Sequence, residues 1–200
     1  MAKHVCPVWV GYLLANPVRR LFQDPSSILA PYVGNGMKVL DIGCAMGFFS
    51  LPLARLVAPD GKVLCVDLQE KMLRILERRA RRAGLSEGIE THLCRQDSLC
   101  LDGLDKAVDF ALIFAVIHEI PDVSNFFSEL RRTLKANGRV LMAEPKGHVS
   151  KRGFAESIAV AERHGFQAVE RPRISRSFAV ILAKNQSVRL QDSAAELPTD

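Results

Sequence analysis

Short apolar runs alternate along the middle of the chain with segments whose apolar residues return every third or fourth position. "MKVLDIG" predicts a buried strand, and a helix is expected from about Gly47 through "FFSLPLARLVA". Asp60-Gly61 makes a turn into a second strand, "KVLCVD". The next segment, "KMLRILERRARRAG", puts Met72, Leu73, Ile75, Leu76 and Ala80 along one face of a helix that ends at Gly84. "IETHLCRQD" gives a third strand with its exit loop, and "AVDFALIFAVI", almost wholly apolar, a central fourth. "DVSNFFSELRRTLKANG" predicts a helix with Phe126, Phe127, Leu130 and Leu134 on one side, ending at Asn137-Gly138. "RVLMAEP" is a fifth strand, "FAESIAVAERHG" a helix, and "QAVERPRI" and "SFAVILAK" two closing strands. Strands alternating with helices imply an α/β fold with an open, mostly parallel, doubly wound sheet. Two closing strands with no helix between them imply an antiparallel edge.

The flanks differ from this core. Pro17, Pro25 and Pro31 divide the segment before the first strand into short helices. The ending, "NQSVRLQDSAAELPTD", has no apolar repeat and is expected to be a disordered tail. The expected organisation is an N-terminal helical extension over 1–36, one sheet domain over 37–184 and the tail over 185–200. A chain of 200 residues suits a single full core.

Composition adds little that is specific. Hydrophobic residues make up 48% and charged residues 24%, as in ordinary globular proteins. No apolar run reaches the length of a membrane span, and the apolar start, "HVCPVWVGYLL", reads as a packed helix rather than a signal peptide. Cys6, Cys44, Cys65, Cys94 and Cys100 form no C-x-x-C pair, so neither a metal site nor a disulfide framework is expected and a reducing cytoplasm is. Cys65 reads as a core residue. Lys71, Arg74, Arg78, Arg81 and Arg82 supply much of the net charge of +5 and read as a solvated helix face, so no nucleic-acid partner is expected.

The bend after the first strand, "VLDIGCAMGFFS", carries the chemistry. Ligands of such sheets sit outside the carboxyl ends of the strands. Gly43 and Gly47 would let the backbone pass close to a ligand, and a helix starting near Gly47 would aim its free amides at it. A dinucleotide site would want G-x-G-x-x-G, but Ala45 holds the middle position and Asp41 would repel a pyrophosphate. Asp41 suits an ammonium group, Asp67 a ribose diol and Asp97 an exocyclic adenine amine. Three acids at successive strand ends describe an adenosine with an amino-acid tail.

On these motifs the chain resembles the class I S-adenosylmethionine-dependent methyltransferases, from about Met37 to Lys184. "VLDIGCAMG", "VLCVDLQEKML", "RQDSL" and "LRRTLKANGRVLMAEP" carry the likeness, the last being similar to the ubiquinone/menaquinone type. Ala45 replaces a glycine, which a negative φ would accommodate; Ala136-Asn137-Gly138 replaces Pro-Gly-Gly, where Asn tolerates left-handed geometry. The resemblance implies a Rossmann-like seven-stranded sheet with an antiparallel last strand. It implies S-adenosyl-L-methionine as cofactor and S-adenosyl-L-homocysteine as product. Gly43, Cys44, Ala45 and Gly47 would line the methionine portion beside Asp41. Asp67 would hold the ribose, Leu68 the adenine face, and Asp97 and Ser98 the adenine edge. Phe114 and Ala115 would lie near the methyl group.

After the fourth strand, "FAVIHEIPD" offers His118 and Glu119 to an acceptor pocket, His118 as a general base or as a support for the loop. The stretch lacks the D/N-P-P-Y/F of amino methyltransferases, the Asp of metal-dependent catechol enzymes and the Pro-Cys of RNA cytosine-C5 enzymes. A small organic acceptor is the simplest expectation. An RNA or protein methyltransferase, or a non-catalytic cofactor-binding domain, stays as the alternative. His4, Cys6, Trp9 and Tyr12 would form a lid, with His4 and Cys6 able to bind a soft metal or metalloid. Glu144, Lys146 and His148 either line the acceptor mouth or form a solvated loop. Oligomeric state and acceptor identity are open.

Overall fold

The computed structural model describes residues 23–185. The expected lid residues His4, Cys6, Trp9 and Tyr12, and the tail after Asn185, lie outside the described residues. The described elements are, in order, α1 (Pro25–Leu29), β1 (Lys38–Ile42), α2 (Ser50–Val57), β2 (Lys62–Asp67), α3 (Glu70–Arg82) and β3 (Ile89–Leu93). They continue with β4 (Val108–Phe114), α4 (Val123–Thr133), β5 (Leu134–Pro145), α5 (Lys151–Arg163), β6 (Phe166–Glu170) and β7 (Ser177–Lys184). Single 3₁₀ turns lie at Ser86–Gly88 and Ile117–Glu119.

Local chemistry starts three of the helices. Asp24 accepts from the Ser26 and Ser27 amides, Asp122 from the Asn125 amide and Ser150 from the Gly153 amide, each satisfying donors that the first turn leaves open. The faces read from sequence are the faces buried. Met72, Leu73, Ile75, Leu76 and Ala80 of α3 are buried, as are Phe126, Phe127 and Leu130 of α4 with Leu134 beyond it. Lys71, Arg74, Arg78, Arg81 and Arg82 are exposed. Cys65 is a core residue.

The seven strands form one sheet in the order β3-β2-β1-β4-β5-β7-β6. β7 runs antiparallel to both of its neighbours; all other pairings are parallel. The antiparallel strand is therefore inserted between β5 and β6, and β6 takes the edge. Alternate strand residues feed two cores. Leu40, Ile42, Leu64 and Val66 pack with α4 and α5, while Val39, Val63, Cys65 and Leu112 pack with α1, α2 and α3. Strand order reverses between β2-β1 and β4, which opens a crevice at the carboxyl ends of β1 and β4.

Three local expectations need correction. α2 starts at Ser50 rather than Gly47, because residues 45–49 form turns. α4 ends at Thr133, so "LKANG" belongs to the run into β5 rather than to the helix. Neither Asn137 nor Gly138 has positive φ. Gly138 is small for a packing reason: a Cβ there would stand 3.0 Å from the Lys135 carbonyl oxygen and 3.1 Å from Leu134.

Candidate active site

The loop leaving β1 is tied to β2 by main-chain bonds. The Gly43 and Cys44 amides donate to the Val66 carbonyl at 2.8 and 3.1 Å. Both flanking glycines have positive φ, +69° at Gly43 and +83° at Gly47. Their missing Cβ atoms make room for protein: one at Gly43 would stand 2.3 Å from Val116 Cγ2, and one at Gly47 2.2 Å from Leu76 Cδ1. Ala45 has φ +46°, not the negative value expected, and carries the left-handed strain that a glycine would avoid. That geometry turns its amide onto Asp67 Oδ2 at 2.9 Å.

Two acids stand at the head of the crevice. Asp41 is 3% exposed, and its Oδ2 accepts from Ser50 Oγ at 2.6 Å. Burial pushes its carboxyl up to about 7; the Ser50 bond opposes that shift and the nearby Asp67 adds to it. Asp67 is 8% exposed and accepts from Ala45 on one oxygen and from the Gln69 amide on the other at 2.8 Å. Burial also raises its pKa, against the lowering effect of the Gln69, Ala45 and Leu68 amides. Among the described residues neither acid has a cationic partner. Burial pushes the Cys44 thiol well up, which leaves it inert as a nucleophile.

The remaining expected contacts surround this pair. Leu68, directly after Asp67, keeps 36% exposure, unusual for a leucine. Asp97 is exposed and pairs with Arg95 at 3.4 Å, whereas Ser98 Oγ donates to Glu129 Oε2 at 3.2 Å. Glu129 Oε2 also accepts the Leu99 amide at 2.8 Å, and Asn125 Nδ2 reaches the Asp97 carbonyl at 2.9 Å. Sequence reasoning missed Glu129 and Asn125. They lie on α4, and nothing near them in the chain indicates a partner some thirty residues earlier. Phe114 packs against Phe49 with ring centroids 4.5 Å apart, and Ala115 turns at φ +60° with its amide on the Ala143 carbonyl.

The turn after β4 is organised by one buried carboxylate. Glu144, on β5, has 0% exposure. Its Oε1 accepts the amides of Val116 and Ile117 at 3.0 and 2.7 Å, and its Oε2 meets His118 Nδ1 at 2.6 Å. A carboxylate offers only acceptors, and one held by two amides is stabilised as the anion, which assigns the proton to Nδ1 and leaves the lone pair of the neutral ring on Nε2. Nε2 lies 3.9 Å from Glu119 Oε1, and the His148 ring stands edge-on to His118 at 5.4 Å. Glu144 is thus neither a mouth residue nor part of a solvated loop; Lys146 and His148 are exposed. The sequence offered His118 and Glu144 separately, and their pairing depends on the register of β4 against β5.

A sulfonium cofactor with an ammonium tail fits the chemistry of this crevice. Two buried carboxylates without cationic partners favour positive charge and repel a pyrophosphate. An exposed apolar side chain beside Asp67 suits a flat base, and the Asp67 carboxylate, with about four lone-pair sites, can still accept a hydroxyl beside its amides. Among the described residues no group of three or more His, Cys, Asp or Glu could hold a metal, and no helix is long and apolar enough to cross a membrane.

Comparison with known proteins bears on the fold and the family. A demethylmenaquinone methyltransferase of Lactobacillus johnsonii is 30% identical over 118 residues, 58% of this chain and 48% of that protein. The chain thus spans about half the length of that relative. The crystal structure of a SAM-dependent methyltransferase from Aquifex aeolicus superposes with a TM-score of 0.81 at 23% identity, covering 90% of this chain and 100% of that one. The cyclase SpnF superposes at 0.67 with 17% identity over 80% of each chain, so the shared fold does not by itself name a reaction. The family described as Methyltransferase domain matches residues 34–180, and on that match the chain belongs to it.

Proposed function

We propose that the chain binds S-adenosyl-L-methionine in the crevice above β1, β2 and β4 and methylates a small organic acceptor that must lose a proton. The observation that carries the cofactor reading is the pair Asp41 and Asp67, both buried and neither ion-paired among the described residues. Asp41 would face the ammonium end and Asp67 the ribose. Gly43, Cys44, Ala45 and Gly47 would border the methionine portion, Leu68 the base, Asp97 and Ser98 its edge, and Phe114 and Ala115 the methyl end. The bound cofactor would supply an electrophilic methyl group on a sulfonium. The chain's own residues would orient the acceptor, exclude water and take its proton. His118 Nε2 is the proposed base, and Glu144 a positioning residue that holds the ring and its tautomer through Nδ1. Glu119 Oε1, 3.9 Å from Nε2, would face the imidazolium formed. The relative named for demethylmenaquinone supports an organic ring compound as the acceptor class.

The test is methyl transfer from radiolabelled cofactor to a panel of hydroxylated aromatic and quinol acceptors. Turnover by the native chain that falls about 10²–10⁴-fold in His118→Ala, with cofactor affinity nearly unchanged, supports the base. Equal loss of cofactor binding and turnover would make His118 a loop support instead. An intact cofactor site that turns over no acceptor would favour a binding domain.

A further inference from the structure

At the opposite end of the sheet, below the starts of β4, β5 and β6, lies a cavity of about 450 Å³. Lys106, Arg131, Arg132, Arg163, His164 and Lys184 line it, with Asp105 as its acidic member. These side chains come from the loop before β4, the last turns of α4 and α5, and the end of β7. Several are committed. Arg132 pairs with Asp105 at 3.0 Å and Asp102 at 3.4 Å, Lys184 Nζ donates to the Leu134 carbonyl at 2.7 Å, and His164 Nε2 bonds Ser124 Oγ at 2.6 Å. Lys106, Arg131 and Arg163 have no acidic partner among the described residues.

Arg131 is the informative member. Its Nε is buried without any hydrogen-bond partner among the described residues, and no other buried side-chain nitrogen or oxygen described here is in that position. Gly165 makes room for it: a Cβ there would stand 2.6 Å from Nε and 3.2 Å from Cζ. Favourable interaction with helix carboxyl termini accounts for cations on α4 and α5. It does not account for Lys106, which lies on neither helix and has no acidic partner among the described residues. Like charges gathered in one concavity repel one another until an anion joins them. Planar guanidinium forks match phosphoryl oxygens.

We propose that this cavity binds a small phosphorylated anion, with Arg131 and Arg163 as its main ligands. Its volume suits a small molecule rather than an extended strand. The site is independent of the strand-end crevice, and it stands or falls apart from the methyl-transfer reading.

Calorimetry of the full chain with inorganic pyrophosphate tests it. Expected is saturable one-to-one binding, weakened roughly 10-fold or more in Arg131→Gln and in Arg163→Gln. The charge-matched control Arg78→Gln, on the exposed face of α3, should bind as the native chain does. Thermal unfolding establishes that each variant is folded; Arg163 is exposed, so Arg163→Gln decides the matter if Arg131→Gln does not fold. Absence of saturable binding, or equal weakening in Arg78→Gln, overturns the proposal. So does binding of an oligonucleotide or of anionic vesicles that pyrophosphate cannot displace.

Discussion

Replacing Glu144 by glutamine changes one heavy atom of a fully buried side chain and leaves its shape intact. Oε1 holds the Val116 and Ile117 amides, so the glutamine oxygen must stay there and its amino group must face His118 Nδ1. An amino group only donates. The ring therefore has to present a lone pair at Nδ1 and move its proton to Nε2, which removes the base from the acceptor side. The charge-assisted bond at 2.6 Å becomes a neutral one, and the expected loss of stability from that bond is about 1–1.5 kcal/mol. Turnover should fall about 10²–10⁴-fold, as for loss of a general base. Glu144→Ala is less useful. It strands three donors at about 1–3 kcal/mol each, a large part of the ~5–15 kcal/mol that holds a domain together. ¹⁵N NMR of the histidine rings reads the tautomer without any acceptor, and urea unfolding reads stability. If His118 keeps its proton on Nδ1 in Glu144→Gln, or carries it on Nε2 in the native chain, the positioning argument is refuted.

Other consequences follow from the strand-end acids and the loop between them. With a folded pKa near 7 against about 3.8 when unfolded, Asp41 holds its proton longer in the native state. Stability should therefore decline as pH rises from about 4 to about 7 and level off above, by up to about 4 kcal/mol. In Asp41→Asn, which can still accept from Ser50, this contribution to the decline should vanish; urea unfolding against pH reads it, and an unchanged slope would count against the shift. A cationic ligand favours ionised Asp41, so its affinity should rise with pH through about 7 with proton release, seen by calorimetry in buffers of different ionisation enthalpy. Ala45→Gly should leave stability unchanged or raise it by up to about 1 kcal/mol, because relief of strain at φ +46° outweighs the entropy that glycine costs; clear destabilisation would contradict this.

The parallel core was legible because strands buried on both faces read as unbroken apolar runs, as in "KVLCVD" and "VDFALIF". α3 was legible for the opposite reason, a strict separation of apolar and basic faces. What stayed hidden was set by contacts distant in sequence. Ala45 takes a left-handed conformation because its amide serves Asp67, twenty-two residues on. Gly43 and Gly47 signalled a close approach, but the approaching atoms belong to Val116 and Leu76. Glu144 follows the apolar run of β5, where an acid ordinarily meets solvent, and only the folded register brings the Val116–His118 turn over it. The pattern predicts an antiparallel last strand, yet its insertion between β5 and β6 leaves no local trace.

The buried acids at the ends of β1 and β2 are expected to form a site for a sulfonium cofactor. Calorimetry of the native chain with S-adenosyl-L-methionine, S-adenosyl-L-homocysteine and NAD tests it most directly. Saturable binding of the first two is expected, with none of NAD and weakening by about 1.5–3 kcal/mol in Asp67→Ala. Binding of NAD without S-adenosyl-L-homocysteine, or an Asp67→Ala chain with undiminished affinity, would contradict it.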